Sequence, residues 1–218
     1  MTLVVSHDRV PGSDLIVGTV YLGNPQGTVA QEPISRLCGV GNFGGFRAKG
    51  AWSVPGATLV VLFTTESEHE WPDRLDRTTG RFEYYGDNRE PRPIEESLEG
   101  RKGNRLLRQT FDCLADGRRD RIPPFFVFRS ANDHGSRAVE FLGLAVPGGP
   151  GGPASDDLVA IWSTGATGRF INYRARFTVL DEPAIRRSWV ARLGAELSNA
   201  DGAPDAWRSW VIGGSMGR

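Results

Sequence analysis

The sequence is poor in the residues that most often carry catalysis or metal binding: 218 residues include two cysteines, three histidines and only two lysines. His7, His69 and His134 lack the spacing of a zinc site, and two cysteines cannot complete a zinc ribbon. Cys38 and Cys113 are expected to stay reduced and semi-buried. No GxGxxG, Walker loop, HExxH or GxSxG motif occurs. Neither Lys49 nor Lys102 follows a carboxylate at the spacing of an Asp…(Asp/Glu)-x-Lys nuclease centre. The chain itself is therefore expected not to be an enzyme, and no catalytic residue, metal or cofactor is assigned to it. No apolar run approaches the ~20 residues of a membrane span, and no signal segment opens the chain. A soluble, cytoplasmic protein without membrane contact is the expectation.

The 39 % hydrophobic and 24 % charged residues are those of a chain that buries a core. Its 26 basic and 26 acidic side chains cancel, which excludes a uniformly basic nucleic-acid binder. The charges are not evenly spread. Arg101, Lys102, Arg105, Arg108, Arg118, Arg119, Arg121 and Arg129 face only Asp112, Asp116 and Asp120 in the same stretch. Local asymmetry of that kind attracts phosphates even when the total is neutral. The scarcity of lysine also fits GC-rich coding, which needs no function.

Twenty-eight glycines and fourteen prolines cut the chain into short pieces and favour strands over long helices. Strands are predicted at Leu15–Tyr21, Thr58–Thr64, Phe82–Tyr85, Phe125–Arg129, Ala138–Ala145, Leu158–Trp162 and Phe170–Leu180. Leu59–Phe63 and Phe125–Phe128 are apolar without alternation, as strands covered on both faces are. Helices are predicted at Glu32–Leu37, Asn104–Leu114 and Pro183–Leu197, the last with Ile185, Trp189, Leu193 and Leu197 as a core-facing stripe. The expected fold is α+β: a curved β-sheet or β-barrel with flanking helices. One domain is expected over 1–197. Residues 198–218 are read as a polar tail that either links to a further domain or docks Trp207 and Trp210 on the core.

Two stretches look costly for a purely structural role. In Gly39–Arg47 four glycines free the backbone around Asn42, Phe43 and Arg47. That composition suits either a loop entering a nucleic-acid groove or a tight turn whose phenylalanines plug the core. The second stretch is Trp71-Pro72-Asp73 followed by Phe82-Glu83-Tyr84-Tyr85-Gly86-Asp87-Asn88. Aromatic rings around a carboxylate suit a planar hydrogen-bonding ligand such as an extracted cytosine, whose amino group a carboxylate accepts. Aromatics beside turn residues are also common at strand ends.

The order of these pieces, with Gly50-Ala51-Trp52-Ser53 between them and Gly103-Asn104-Arg105-Leu106-Leu107-Arg108 and Phe141-Leu142-Gly143-Leu144 beyond, resembles the SRA (SET- and RING-associated) family. It is most similar to the N-terminal recognition domains of MspJI/AspBHI-type modification-dependent restriction endonucleases, over about Asp14 to Leu197. The resemblance implies an SRA/PUA-like crescent that binds duplex DNA carrying 5-methyl- or 5-hydroxymethylcytosine and flips the modified base into a pocket. By that likeness Asp73 accepts from the amino edge of the base, while Tyr84 and Trp71 form its two walls. Asn42, Phe43 and Arg47 belong to the loop that enters the DNA groove. A glutamine-like residue is the family's expectation near Phe43, so Asn42 is left to meet the orphaned guanine. Arg47, Arg89, Arg101, Lys102 and Arg105 are candidates for phosphate contact. The nuclease is expected in a C-terminal domain in cis. A PUA-like RNA-binding module, a reader of another DNA modification, and a metal-dependent hydrolase using Asp73, Asp76 or Asp87 are the alternatives.

Overall fold

The computed structural model describes residues 2–24, 26–28, 32–42, 44–66, 72–135, 137–149, 153–194 and 202–214. Twelve strands and four α-helices follow one another along the described residues. Three short strands open the chain: β1 (Val4–Val5), β2 (Leu15–Ile16) and β3 (Val20–Tyr21). Helix α1 (Pro33–Cys38) then leads through the glycine-rich loop to β4 (Phe46–Gly50) and β5 (Ala57–Thr64). Strands β6 (Arg74–Leu75) and β7 (Arg81–Tyr85) precede α2 (Lys102–Ala115). Strands β8 (Phe125–Ser130), β9 (Val139–Pro147), β10 (Leu158–Gly165) and β11 (Gly168–Val179) follow. The chain closes with β12 (Ala184–Ile185), α3 (Arg187–Arg192) and α4 (Asp205–Gly213).

One ten-stranded sheet runs β4-β5-β8-β9-β11-β7-β6, with β10 added to β11 and the β1–β3 pair added to β9. The β5–β8 pairing is parallel, with Val60 opposite Phe125, and β7 and α2 lie between those strands in the chain. The sheet is open: β4 pairs only with β5 among the described residues, and β6 only with β7.

The unbroken apolar runs are explained by cover on both sides. Phe125 packs on Phe177 at 4.9 Å between ring centres, and Phe177 meets Phe111 of α2 at 5.6 Å. Phe126 points the other way, to Trp189 of α3 at 6.1 Å, and Trp189 meets Trp207 of α4 at 6.2 Å. Neighbouring residues of one strand thus serve two helix layers, and neither face can carry polar side chains.

Several sequence expectations are corrected here. Leu15–Tyr21 is not one strand: a turn at Gly18, with φ of +77°, splits it, and β2 pairs with β12 while β3 pairs with β1 and β9. The helix expected over Pro183–Leu197 shrinks to α3, because Ala184 and Ile185 are taken into pairing with Ile16 and Leu15. Leu197 lies outside the described residues. Phe46 and Arg47, expected at the end of the glycine-rich loop, open a strand, Phe46–Gly50, bonded to β5. Residues 205–213 of the expected polar tail form α4, whose Trp207 and Trp210 are fully buried.

Cys38 and Cys113 are free and more deeply buried than expected, and burial raises both thiol pKa values. No helix among the described residues is long and apolar enough to cross a membrane. Trp207→Ala should cost about 3–5 kcal/mol, the usual range for emptying a buried indole site. Urea unfolding measures it, and a loss below ~1 kcal/mol would mean that α4 is not part of the packed body.

Candidate functional site

The site grows out of the failure of the sheet to close. Strand β7 alternates, with Phe82 and Tyr84 buried on its inner face and Arg81, Glu83 and Tyr85 turned outward. Strand β4 has no backbone partner on its outer edge among the described residues, yet its first residue reaches β7 through side chains. Phe46 lies 6.0 Å from Tyr84 and 5.8 Å from Trp52, ring centre to ring centre. Strand β4, at one end of the sheet, therefore faces β7, next to the other end, across a seam held by aromatic contact instead of a hydrogen-bonded ladder.

A cavity of about 610 Å³ opens at this seam. Phe46, Trp52 and Tyr84 form its aromatic side, and Gly44 and Gly45 bring in the glycine-rich loop. Asp87, Arg89, Arg101 and Lys102 line its polar side. A Cβ on Gly45 would stand 2.9 Å from the Phe63 carbonyl and 3.4 Å from the Tyr84 hydroxyl, so only glycine lets the loop pass so close to the wall. A second, more apolar hollow of about 440 Å³ lies by Ile16, Leu75 and Val179 and contains none of the expected residues.

Four expected residues thus meet in one cavity: Tyr84, Arg89, Arg101 and Lys102. Asp73 stands just outside the lining. Its Oδ1 accepts from the backbone N–H of Tyr85 at 2.9 Å, and its charge is felt by the Tyr84 phenol. Arg105 lies about one turn further along α2, off the cavity, and Asn42 is half-buried in the loop. Phe43 and Trp71 lie outside the described residues. Arg47 is a correction. Its guanidinium is buried below the loop, bonded to Glu32 and to loop carbonyls, and is not offered to a ligand.

Trp52 has no role in the sequence expectation; as a half-buried ring across from Tyr84 it is a wall of the cavity. Its turn is fixed from α2, where Gln109 Oε1 accepts from the backbone N–H of Val54 at 2.9 Å. The signal that could have found it is a lone tryptophan in the turn that leads into a strand buried on both faces.

The Gly86-Asp87-Asn88 and Gly103-Asn104 motifs build the floor. The Asp87 carboxylate accepts from the backbone N–H groups of Gly103 and Asn104, both at 3.1 Å, and so caps the positive end of α2. Asn104 Oδ1 accepts from the N–H of Asp87, while its Nδ2 donates to the Ser97 carbonyl. Asn172 of β11 donates to the Gly86 carbonyl at 2.9 Å, and Asn88 donates back to the Ile171 carbonyl at 2.9 Å. A Cβ at Gly86 would fall 1.7 Å from Asn104 Oδ1. Arg89 and Arg101 donate to carbonyls of this same knot, at Gly86 and Asp87, and keep part of their surface at the cavity.

The three acids that suggested hydrolysis each have local work. Asp76 accepts from Thr78 and Thr79 in its own turn, Asp87 caps α2, and Asp73 holds Tyr85. No group of three or more His, Cys, Asp or Glu side chains among the described residues is placed to hold a metal.

Burial, and then the Asp73 carboxylate, raise the Tyr84 pKa well above that of free tyrosine, against a smaller opposing pull from Arg89. The cavity wall is thus a neutral phenol at every physiological pH.

A curled, unclosed sheet with helices packed against both of its faces and a cavity at its seam is an α+β fold of the SRA-like class. The sequence matches the family described as restriction endonuclease AspBHI N-terminal over residues 15–218. The chain belongs to that family. It is 42 % identical to the DNA modification-dependent restriction endonuclease AspBHI, with a TM-score of 0.87, covering 98 % of this chain and 54 % of that one. It therefore spans about half the length of AspBHI. The DNA recognition domain of the cytosine modification-dependent restriction endonuclease LpnPI is 37 % identical, with a TM-score of 0.85 and coverage of 97 % and 93 %. The MspJI restriction endonuclease in complex with a 27-mer oligonucleotide matches at 22 % identity, a TM-score of 0.65 and coverage of 91 % and 51 %, a likeness of fold alone. A search of curated proteins gives no match.

The raised Tyr84 pKa carries a pH signature. The folded chain holds the phenolic proton where the unfolded chain releases it near pH ~10. The stability this contributes is complete below that pH and falls as pH rises above it. Tyr84→Phe should flatten the decline seen by urea unfolding between pH 9 and pH 11; equal slopes in both proteins would put the phenol in solvent.

Proposed function

We propose that this domain binds duplex DNA carrying 5-methyl- or 5-hydroxymethylcytosine and takes the modified base into the seam cavity, as the specificity part of a modification-dependent restriction endonuclease. The observation that carries the reading is the meeting of Trp52, Phe46 and Tyr84 with Arg89, Arg101 and Lys102 around one cavity beside Asp73. The kinship with AspBHI and LpnPI supports it. A nuclease domain in cis and action in the cytoplasm belong to the same proposal.

In this reading Tyr84 and Trp52 enclose the faces of the base, with Trp52 in the part that the sequence likeness gave to Trp71. Asp73 accepts from the exocyclic amino group. Asn42 and Phe43 enter the space that the base leaves, and Arg89, Arg101, Lys102 and Arg105 meet phosphates.

Extrusion costs a few kcal/mol. Stacking returns about 1–3 kcal/mol per base, and phosphate contacts with the amino-edge bond supply the balance. A methyl group in a fitted niche is worth about 1–3 kcal/mol, so the preference over plain cytosine is expected to be roughly tens- to a few hundred-fold.

Equilibrium binding to duplexes that differ only in C, methyl-C and hydroxymethyl-C tests this. Asp73→Ala should erase the preference and leave weak, salt-sensitive duplex binding, while Lys102→Ala should lower affinity for all duplexes alike and reduce the salt slope by about one. An Asp73→Ala protein with the wild-type ratio of modified to unmodified affinity would remove Asp73 from the pocket.

A further inference from the structure

Alternation along β4 sends Phe46 into the seam and Arg47 to the opposite side, where it is 6 % exposed. There the guanidinium joins three pieces of the chain. Nε donates to the Gly44 carbonyl at 2.8 Å, and Nη1 donates to Glu32 Oε2 at 3.0 Å and to the Gly41 carbonyl at 3.3 Å. Its plane lies over the Phe63 ring, 5.7 Å from the ring centre. The same Glu32 oxygen accepts from the N–H and the hydroxyl of Ser35 at 2.9 and 3.0 Å and so caps α1. A single buried ion pair therefore fastens the start of α1, the start of β4 and both shoulders of the glycine-rich loop.

Burying two charges is costly, and an apolar pair of similar volume would pack as well. What an apolar pair cannot do is bond the Gly41 and Gly44 carbonyls. Those two groups bracket the segment that carries Asn42. One residue further, Gly45 passes close to the Tyr84 hydroxyl, so a shift of the loop is a shift of the cavity wall.

We propose that Arg47 and Glu32 are positioning residues for base capture: they hold the glycine-rich loop in the conformation that enters DNA, so that its ordering is complete before the duplex arrives. This rests on the base-capture reading above. The pair touches no DNA itself. Its loss should therefore slow and reduce base extrusion without weakening the initial, salt-sensitive encounter with the duplex.

The test uses Arg47→Lys, which keeps the charge but not the fork of donors, and Glu32→Gln, which keeps the shape but not the charge. Each is compared with wild type by anisotropy on unmodified duplex and by stopped-flow fluorescence on duplex with 2-aminopurine beside methylcytosine. The expected result is an extrusion rate about tenfold lower in both variants, with unmodified-duplex affinity within about twofold of wild type. Wild-type extrusion kinetics in both variants overturns the positioning role alone. So does an equal loss on modified and unmodified duplexes, which is the mark of a merely structural pair. A wild-type protein that gives no 2-aminopurine signal on methylated duplex overturns the base-capture reading, and the positioning role with it.

Discussion

Strands β4 and β7 meet through rings and not through a ladder, and the rest of the site depends on that. Had the outer edge of β4 bonded to the part of β7 beyond the short β6, the sheet would close around Phe46, Phe82 and Tyr84 and leave no opening at that place. Because the contact is Phe46 against Tyr84 at 6.0 Å, the aromatic core of the sheet reaches the surface at this seam. The wall is therefore continuous with the core. Phe82 lies 5.9 Å from Tyr84 on the same strand face, so the wall inherits the rigidity of packed side chains.

The open seam is stiffened from below by a knot of amides. Asn88, Asn104 and Asn172 are each fully buried, and each bonds to main-chain groups of another segment. Together with the Asp87 cap they bind the end of β7 to α2 and β11. This is where a sheet loses order if it runs out of strand partners, and buried polar networks of this kind fix one geometry when every member is satisfied. The cations at the cavity belong to the same knot, since Arg89 and Arg101 are oriented by carbonyls at Gly86 and Asp87.

Much of the fold was legible because the strongest signals are local. The runs Leu59–Phe63 and Phe125–Phe128 announced two-sided burial, and the helix predicted over Asn104–Leu114 is α2, Lys102–Ala115. Elements decided by distant partners were not legible. Ala184 and Ile185 read as helical until Leu15 and Ile16 claim them, and the sequence leaves a linker and a docked segment equally open for Trp207 and Trp210, because their neighbour Trp189 belongs to another helix. At the site, residue type pointed to the right neighbourhood but not to the direction of each side chain. Arg47 has the composition of a DNA contact, yet strand alternation turns it inward to Glu32. Trp52 looked incidental because its partner across the seam, Tyr84, is far away in the chain. Gly86 and Gly103 carry no role of their own in the sequence motifs, while their hydrogen atoms face Asn104 and Asp87 at distances that admit no methyl group.

The burial of both native thiols has a practical side. Cys38 is 1 % exposed and Cys113 5 %, and burial disfavours the thiolate of each. The thiolate is the reactive form, so alkylating dyes and spin labels have little to attack on the folded surface. A cysteine placed beside the seam, or on the outer face of α2, would be the one handle for a probe. Distances from that handle to a labelled oligonucleotide are then measurable in the native background, with no need to strip the core of its sulfur.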